Sequence, residues 1–376
     1  MTTTQAKMAV EQLLKSEQRT DPAPVPDPKS DWLGHLDKAV RTSDGLGSVS
    51  VPRREPIIGG WFKQGDLGFI YGPRGLGKTW MGMFLARKIA EGAGLGALAE
   101  WNILASRRVL YVDGEMPMDE IRERDAALSN VPASGLYYLQ HEALFHLTGK
   151  VLDLTDPAAQ AAVLEKCRRD RIEVVFLDNQ SCLFPGLSEN AADAWVKVLP
   201  WLLELRRNRI AVIIIAHAGR NGAMRGTSRR EDAAFWLINL SEPKDAIELQ
   251  AGARFVARFE KTRNTVDAEC PSLEWTFQKP PGGTKLDVTW KKLSTYDLFR
   301  QCIEEGRRVA SDIAEHLGLT SARVSQLAAK AIKEGWLVKD GRNYMLKSDE
   351  PMARWKAKMN PEAEAAKAAI MEMLKA

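Results

Sequence analysis

Eight consecutive residues, Gly72-Pro73-Arg74-Gly75-Leu76-Gly77-Lys78-Thr79, fill every fixed position of the pattern G-x-x-x-x-G-K-[ST]. Glycines at 72, 75 and 77 let the backbone take unusual φ/ψ values, so successive N–H groups can turn onto a polyanion at the positive end of the next helix. Lys78 would reach the β and γ phosphates of ATP, and the Thr79 hydroxyl would sit on Mg²⁺. Arg74 adds a charge at a variable position, and Pro73, Leu76 and Trp80 complete the expected nucleotide contacts. Residues 67–71 have strand character, and residues 80–91 carry Met81, Phe84, Leu85 and Ile89 on one side, as a helix would. That strand-loop-helix setting is the one in which the pattern cradles phosphate.

A cradle alone binds nucleotide; hydrolysis also needs an acid to hold the metal and a group to orient water. Asp178 closes the apolar run 173–178 and is the expected Mg²⁺-side acid, because parallel strands bring their carboxyl ends to the loop side of a sheet. Glu115 is the expected base, just past a strand at 108–113 placed beside the loop strand, and Asp113 competes for that role. His217 closes the run 211–217, where its imidazole could contact the γ-phosphate or a water. From there it would report hydrolysis to the Gly- and Arg-rich stretch 218–230.

The elements that must position these groups alternate between strand and helix from about residue 55 to residue 290, which predicts a mainly parallel α/β sheet covered by helices. Helices are expected at 118–128, from Asp156-Pro157 to about 169, and at 192–207 with a break at Pro200. A short strand is expected at 136–140, and the near-continuous apolar runs at 173–178 and 211–217 suit strands buried on both faces. Further strands at 235–240, 246–250, 255–261, 273–278 and 285–291 would extend the sheet in antiparallel fashion. This divides the chain into residues 1–54, a helix and Pro-rich linker; 55–293, the ATPase domain; 294–348, a smaller domain; and 349–376, a helical tail. The helix at 6–16 either packs on a neighbouring subunit or belongs to a disordered tail.

The smaller domain has the order of a winged helix-turn-helix: helices at 296–305, 311–317 and 321–334, then a hairpin turning at Asp340-Gly341. The third helix puts Val324, Leu327, Ala328 and Ala331 inward and Arg323, Gln326, Lys330 and Lys333 outward, a face suited to a DNA major groove or to solvent on a protein-contact module.

Bulk properties narrow the field. The chain has 376 residues, long enough for two domains, and 45% hydrophobic residues exclude wholesale disorder. A net charge of +4 permits nucleic-acid binding without arguing for it. The scattered Cys167, Cys182, Cys270 and Cys302 predict neither disulfides nor zinc. No apolar run is long enough to span a bilayer and the first residues lack a signal-peptide core, so a cytoplasmic protein without a membrane partner is expected.

The set Gly72 to Thr79, Asp113-Gly114-Glu115-Met116, Leu177-Asp178, Ala216-His217, Met224-Arg225-Gly226-Thr227-Ser228 and Phe259-Glu260-Lys261-Thr262-Arg263-Asn264 resembles the RecA-like hexameric replicative helicases, of the plasmid RepA type with DnaB-like ATPase motifs. The resemblance covers about residues 55–290. It implies a homo-oligomer, a hexamer, in which Glu115 activates water, His217 senses the γ-phosphate, and Lys261 with Arg263 reaches the neighbouring subunit's site as a trans finger. Arg225 competes for the finger role. The resemblance also implies a channel in which Arg220, Asn221 and Arg225 grip single-stranded DNA, with replication proteins as possible partners. The chain departs from that family in having no N-terminal domain of the DnaB type and in its expected winged helix. A DNA-binding regulator or helicase loader, and a filament-forming recombination ATPase, remain rival readings.

Overall fold

The computed structural model describes residues 32–95, 98–185, 192–219, 232–243, 252–265 and 270–349, which belong to two units, residues 1–53 and 54–376. The expected helix at 6–16, linker, strand at 246–250 and tail helix lie outside the described residues. In the first unit a short helix α1 (Trp32–Ala39) exposes Trp32, Leu33 and Leu36.

The second unit opens with a small hairpin, β1 (Pro56–Ile58) and β2 (Phe62–Lys63), which the sequence reading missed because each strand is too short to show a period. Nine further strands form one sheet: β3 (Leu67–Gly72), β4 (Val109–Asp113), β5 (Leu136–Gln140), β6 (Val174–Asp178), β7 (Ala211–His217), β8 (Trp236–Ser241), β9 (Gly252–Thr262), β10 (Leu273–Gln278) and β11 (Asp287–Lys292). Their order is β11-β10-β9-β8-β3-β7-β6-β4-β5.

Two expectations are corrected here. The strand leading to Glu115 does not lie beside the loop strand; β7 and β6 stand between β3 and β4. Those two most uniformly apolar runs are buried on both faces and take the middle of the sheet, which moves β4 outward. The extension of the sheet is also not antiparallel throughout, since β8 runs parallel to β3 and the reversal begins at β9.

Helices α2 (Lys78–Glu91), α3 (Met118–Leu128), α4 (His141–Thr148), α5 (Pro157–Arg169), α6 (Gln180–Leu183) and α7 (Ala192–Arg207) connect the strands. Alternation along each strand splits the core. Ile213 and Ile215 of β7 join Met81, Phe84, Leu85 and Ile89 of α2 on one face, while Val212 and Ile214 join Val163, Trp195 and Leu205 on the other. Helix α5 starts as predicted, with the Asp156 side chain accepting from the Ala158 N–H and Pro157 at the first position. Helix α7, in contrast, runs through Pro200 without a break. Trp195, Val198, Trp201, Leu202 and Leu205 are all buried on either side of it, at roughly 1.5–3 kcal/mol each. That outweighs the cost of roughly 3 kcal/mol for a helix-interior proline.

Past β11 the chain forms α8 (Thr295–Glu304), α9 (Ala310–Leu317), α10 (Ser321–Lys333) and a hairpin, β12 (Leu337–Asp340) with β13 (Asn343–Leu346), around a separate core that includes Phe299, Ile313, Val324 and Leu337. Ser294 and Asp297 form a reciprocal cap at α8. The hairpin turn is Gly341-Arg342 rather than Asp340-Gly341, because Asp340 still pairs with Asn343 and Gly341 takes the positive φ of 56°. Two contacts seat this module on the sheet: the Gln301 amide donates to Ser241 Oγ (3.0 Å) and Arg258 donates to His316 Nε2 (2.8 Å).

Candidate active site

The phosphate loop joins β3 to α2, and its geometry explains its glycines. Gly75 and Gly77 have φ of 75° and 106°, and a Cβ on Gly77 would come within 2.4 Å of Ala253 Cβ and 3.1 Å of the Phe255 ring. Only glycine meets both conditions at residue 77. The buried Lys78 ammonium folds over the loop, donating to the carbonyls of Gly72 (3.1 Å) and Pro73 (2.6 Å). Burial pushes its pKa down, and the negative charges of Asp178 and Glu115 oppose that shift. Pro73, Arg74 and Gly75 are exposed, Leu76 is half-buried, and Trp80 lies on α2 with the Arg124 guanidinium 5.1 Å from its ring.

The carboxyl ends of β4 and β6 supply the acids. Asp113 and Asp178 are directly opposed in the register, and the Gly114 N–H donates to the Asp178 carbonyl at 2.7 Å. Asp178 is 3% exposed and accepts from the hydroxyls of Thr79 and Tyr111, the latter at 2.7 Å. Burial pushes its carboxyl up against those two bonds. Asp113, 1% exposed, is pushed up to about 7, first by burial and then by the charge of Asp178. Its Oδ1 accepts from the N–H groups of Glu115 (3.2 Å) and Met116 (2.8 Å), while its Oδ2 is buried without a hydrogen-bond partner among the described residues. Asp113 therefore shapes the turn that carries Glu115, and Glu115, exposed at the surface, is the better-placed base of the two.

Two contributors were missed. Asn179, buried, donates its amide N–H to Glu115 Oε2, and its Oδ1 accepts from the Cys182 N–H (3.2 Å) as the cap of α6. The cap commits Oδ1, so the amide donor is left to face Glu115. Tyr111 shares a face of β4 with Asp113, and that period-two spacing was the one sequence signal for it. His217 lies opposite Gly72 in the register, and the Ala218 N–H donates to the Gly72 carbonyl (3.0 Å), so the end of β7 sits beside the first glycine of the loop.

These residues fit ATP and Mg²⁺. A glycine cradle closes around one lysine, and a threonine hydroxyl bonded to a buried aspartate is the two-ligand arrangement that Mg²⁺ shares with phosphate oxygens. Among the described residues no group of three or more His, Cys, Asp or Glu forms a metal cage.

The finger candidates lie elsewhere. Lys261 opposes Leu237, which opposes Phe69. Arg263, exposed, donates its backbone N–H to Phe235, whose own N–H bonds to Leu67. At roughly 3.3 Å per residue, Arg263 is about 17 Å along the sheet from Gly72, beyond the reach of one side chain. Between these strands a bulge at Glu260 turns its carboxylate to the Tyr71 hydroxyl, next to the loop. Arg220, Asn221 and Arg225 lie outside the described residues. On α10, Arg323, Gln326, Lys330 and Lys333 are all exposed, but Arg323 donates to Gln326 (3.0 Å), and Lys330 lies 4.1 Å from the Tyr296 ring centroid and 3.7 Å from Glu334.

The sequence profile of a family described as AAA domain matches residues 35–223, half of the chain. No curated protein matches it. Among solved structures, a KaiC-like protein from the archaeon Pyrococcus horikoshii is 16% identical, with 63% of this chain and 99% of that one covered at a TM-score of 0.42. The flagellar accessory protein FlaH from Methanocaldococcus jannaschii is 14% identical, with 60% and 90% covered at 0.39. Among the described residues no helix is long and apolar enough to cross a membrane. With its phosphate loop, its opposed acids and a large, mostly parallel sheet, the chain belongs to the AAA domain family and is a P-loop ATPase.

Proposed function

We propose that this ATPase is a ring-forming DNA motor, a replicative helicase of the plasmid or phage type that moves on single-stranded DNA. One observation supports the ring above all others: Arg263 lies at the end of the sheet opposite the phosphate loop of its own chain, with Lys261 two residues nearer the middle of the sheet. A second copy stacked head to tail would bring that end to the loop, so that cations supplied in trans meet the charge that builds on the γ-phosphoryl oxygens. Hydrolysis then depends on assembly, and a closed hexamer couples successive sites around a channel lined by residues 218–227, with Arg220, Asn221 and Arg225 toward DNA. In this reading Lys78 and Thr79 with Asp178 hold MgATP, Glu115 takes the proton of the attacking water, and His217 relays the state of the γ-phosphate. Arg225 remains the alternative finger.

The test is steady-state ATP hydrolysis without DNA, with single strands and with duplex, alongside the mass of the assembly. Stimulation by single strands at least tenfold, together with a closed-ring mass, is the expected outcome. A monomer whose hydrolysis ignores single strands would remove the motor reading. The exposed basic face of α10 favours a second reading, a duplex-bound regulator or loader that switches assembly with ATP. Tight duplex binding with hydrolysis indifferent to single strands would select it.

A further inference from the structure

Three arginines from distant parts of the chain converge on one aromatic ring. The guanidinium carbons of Arg206, Arg54 and Arg263 lie 4.7, 4.8 and 6.0 Å from the centroid of Phe235, a buried residue just ahead of β8. Arg54 is tied to Asp66 and donates to Asn264 Oδ1 (3.0 Å). Arg263 is held by the Asp232 carbonyl (2.6 Å). The side chain of Arg206, exposed in the last turn of α7, makes no hydrogen bond or ion pair among the described residues.

This arrangement is unbalanced. Asp66 neutralises one of the three charges, and it is buried and already bonded to Asn264 (2.5 Å) and the Lys63 N–H (2.8 Å). An aromatic ring has two faces and attracts a cation far more weakly than a full negative charge does. Among the described residues, two guanidinium groups therefore share a small region with no carboxylate bonded to either of them. The plain alternative is that Arg206 only complements the C-terminal end of α7. Arg207 already occupies that turn and pairs with Glu204 at 3.2 Å, so the helix end does not require Arg206 to turn toward Phe235.

We infer that Arg206, Arg54 and Arg263 form one phosphate pocket, which binds the terminal phosphate of a nucleotide held in the loop of a second copy, with Arg206 as a further member of the finger. Planar guanidinium forks suit phosphate oxygens, and the Phe235 ring with the Asp66 and Asn264 bonds holds the forks in place before the phosphate arrives. In the reaction, water adds to the γ-phosphorus and the bond to the bridging oxygen breaks with its electron pair leaving on ADP. The water proton passes to the carboxylate beside the loop. The arginines exchange no proton and stabilise only the charge on the phosphoryl oxygens.

The inference rests on the head-to-tail reading, and a mixing experiment separates the two. Arg206→Ala chains keep an intact loop, and Lys78→Ala chains keep an intact arginine cluster. Each alone should hydrolyse ATP at least about tenfold more slowly than the native chain, a part of the effect of about 10³ or more seen for an arginine supplied in trans. Mixed, they should regain hydrolysis at the sites that pair one chain's loop with the other's cluster, and Arg206→Lys, with the charge but not the fork, should fall between. Native turnover in Arg206→Ala, or a loss that mixing does not relieve, overturns the inference. Arg263→Ala run in parallel shows which idea fails. Recovery with Arg263→Ala while Arg206→Ala is fully active removes Arg206 alone, and no recovery with either variant removes the trans site itself.

Discussion

The two ends of the parallel sheet carry opposite chemistry. At the carboxyl end, Asp178 and Asp113 are buried side by side, with Glu115 just above them and one lysine folded across the loop. At the amino end the charges are guanidinium groups: Arg54, Arg206 and Arg263 around Phe235, and Arg107 between Glu55 (2.7 Å) and Glu173 (2.6 Å). The carboxyl end has carboxylates that burial drives toward protonation, whereas the amino end gathers planar guanidinium forks. Under the proposed function the two ends complement one another: the carboxyl end offers the metal side, a base and Lys78, and the amino end of a second copy would add a further cation for the developing charge.

The sharpest way to break this comparison is at the amino end. Arg263→Ala should lower turnover by about 10³–10⁵ although the residue is far from the loop of its own chain. Native turnover in that variant would leave the amino end without a part in hydrolysis. At the carboxyl end Glu115→Gln should cost about 10²–10⁴ in turnover while a fluorescent ATP analogue still binds, which equilibrium titration measures. Retained hydrolysis would move the base to Asp113.

Asp113 itself gives a pH signature. Its folded pKa of about 7 lies above the reference value of 3.8, so the folded state holds the proton more tightly. The stability this contributes is complete below about pH 4 and is lost as pH rises through 7. The loss is on the order of a few kcal/mol, at roughly 1.4 kcal/mol per pH unit between the two values. Urea unfolding of the nucleotide-free protein from pH 4 to 8 should show that decline, and Asp113→Asn should flatten it. The smallest effect belongs to Asn179→Asp, which keeps the cap of α6 but sets a carboxylate against Glu115. Turnover should fall about tenfold with the KM for ATP unchanged and the acid limb of the pH profile moved upward. An unchanged profile would show that Asn179 serves the helix alone.

Legibility differed in the same way between the two ends. The loop, its flanking strand and helix, and the strand-terminal Asp178 and His217 are contiguous patterns, and local backbone requirements make such patterns readable. Asn179 was not readable, because an asparagine after a strand caps helices far more often than it contacts a base. Pro200 misled for a related reason: its local penalty is real, but the burial of Trp195 and Trp201 around it is decided by the sheet beneath.

By itself the amino-acid sequence determined that the chain cradles triphosphate, which acids terminate its buried strands, and that α and β elements alternate, since each depends on residues within a few positions of one another. Only the tertiary structure decided the strand order that separates β3 from β4, the pairing of Asp113 with Asp178, and the gathering of residues 54, 206, 235 and 263 at the far end. Those relations join positions tens to hundreds of residues apart, and it is the competition among strands for the buried centre of the sheet, a property of the whole chain, that settles them.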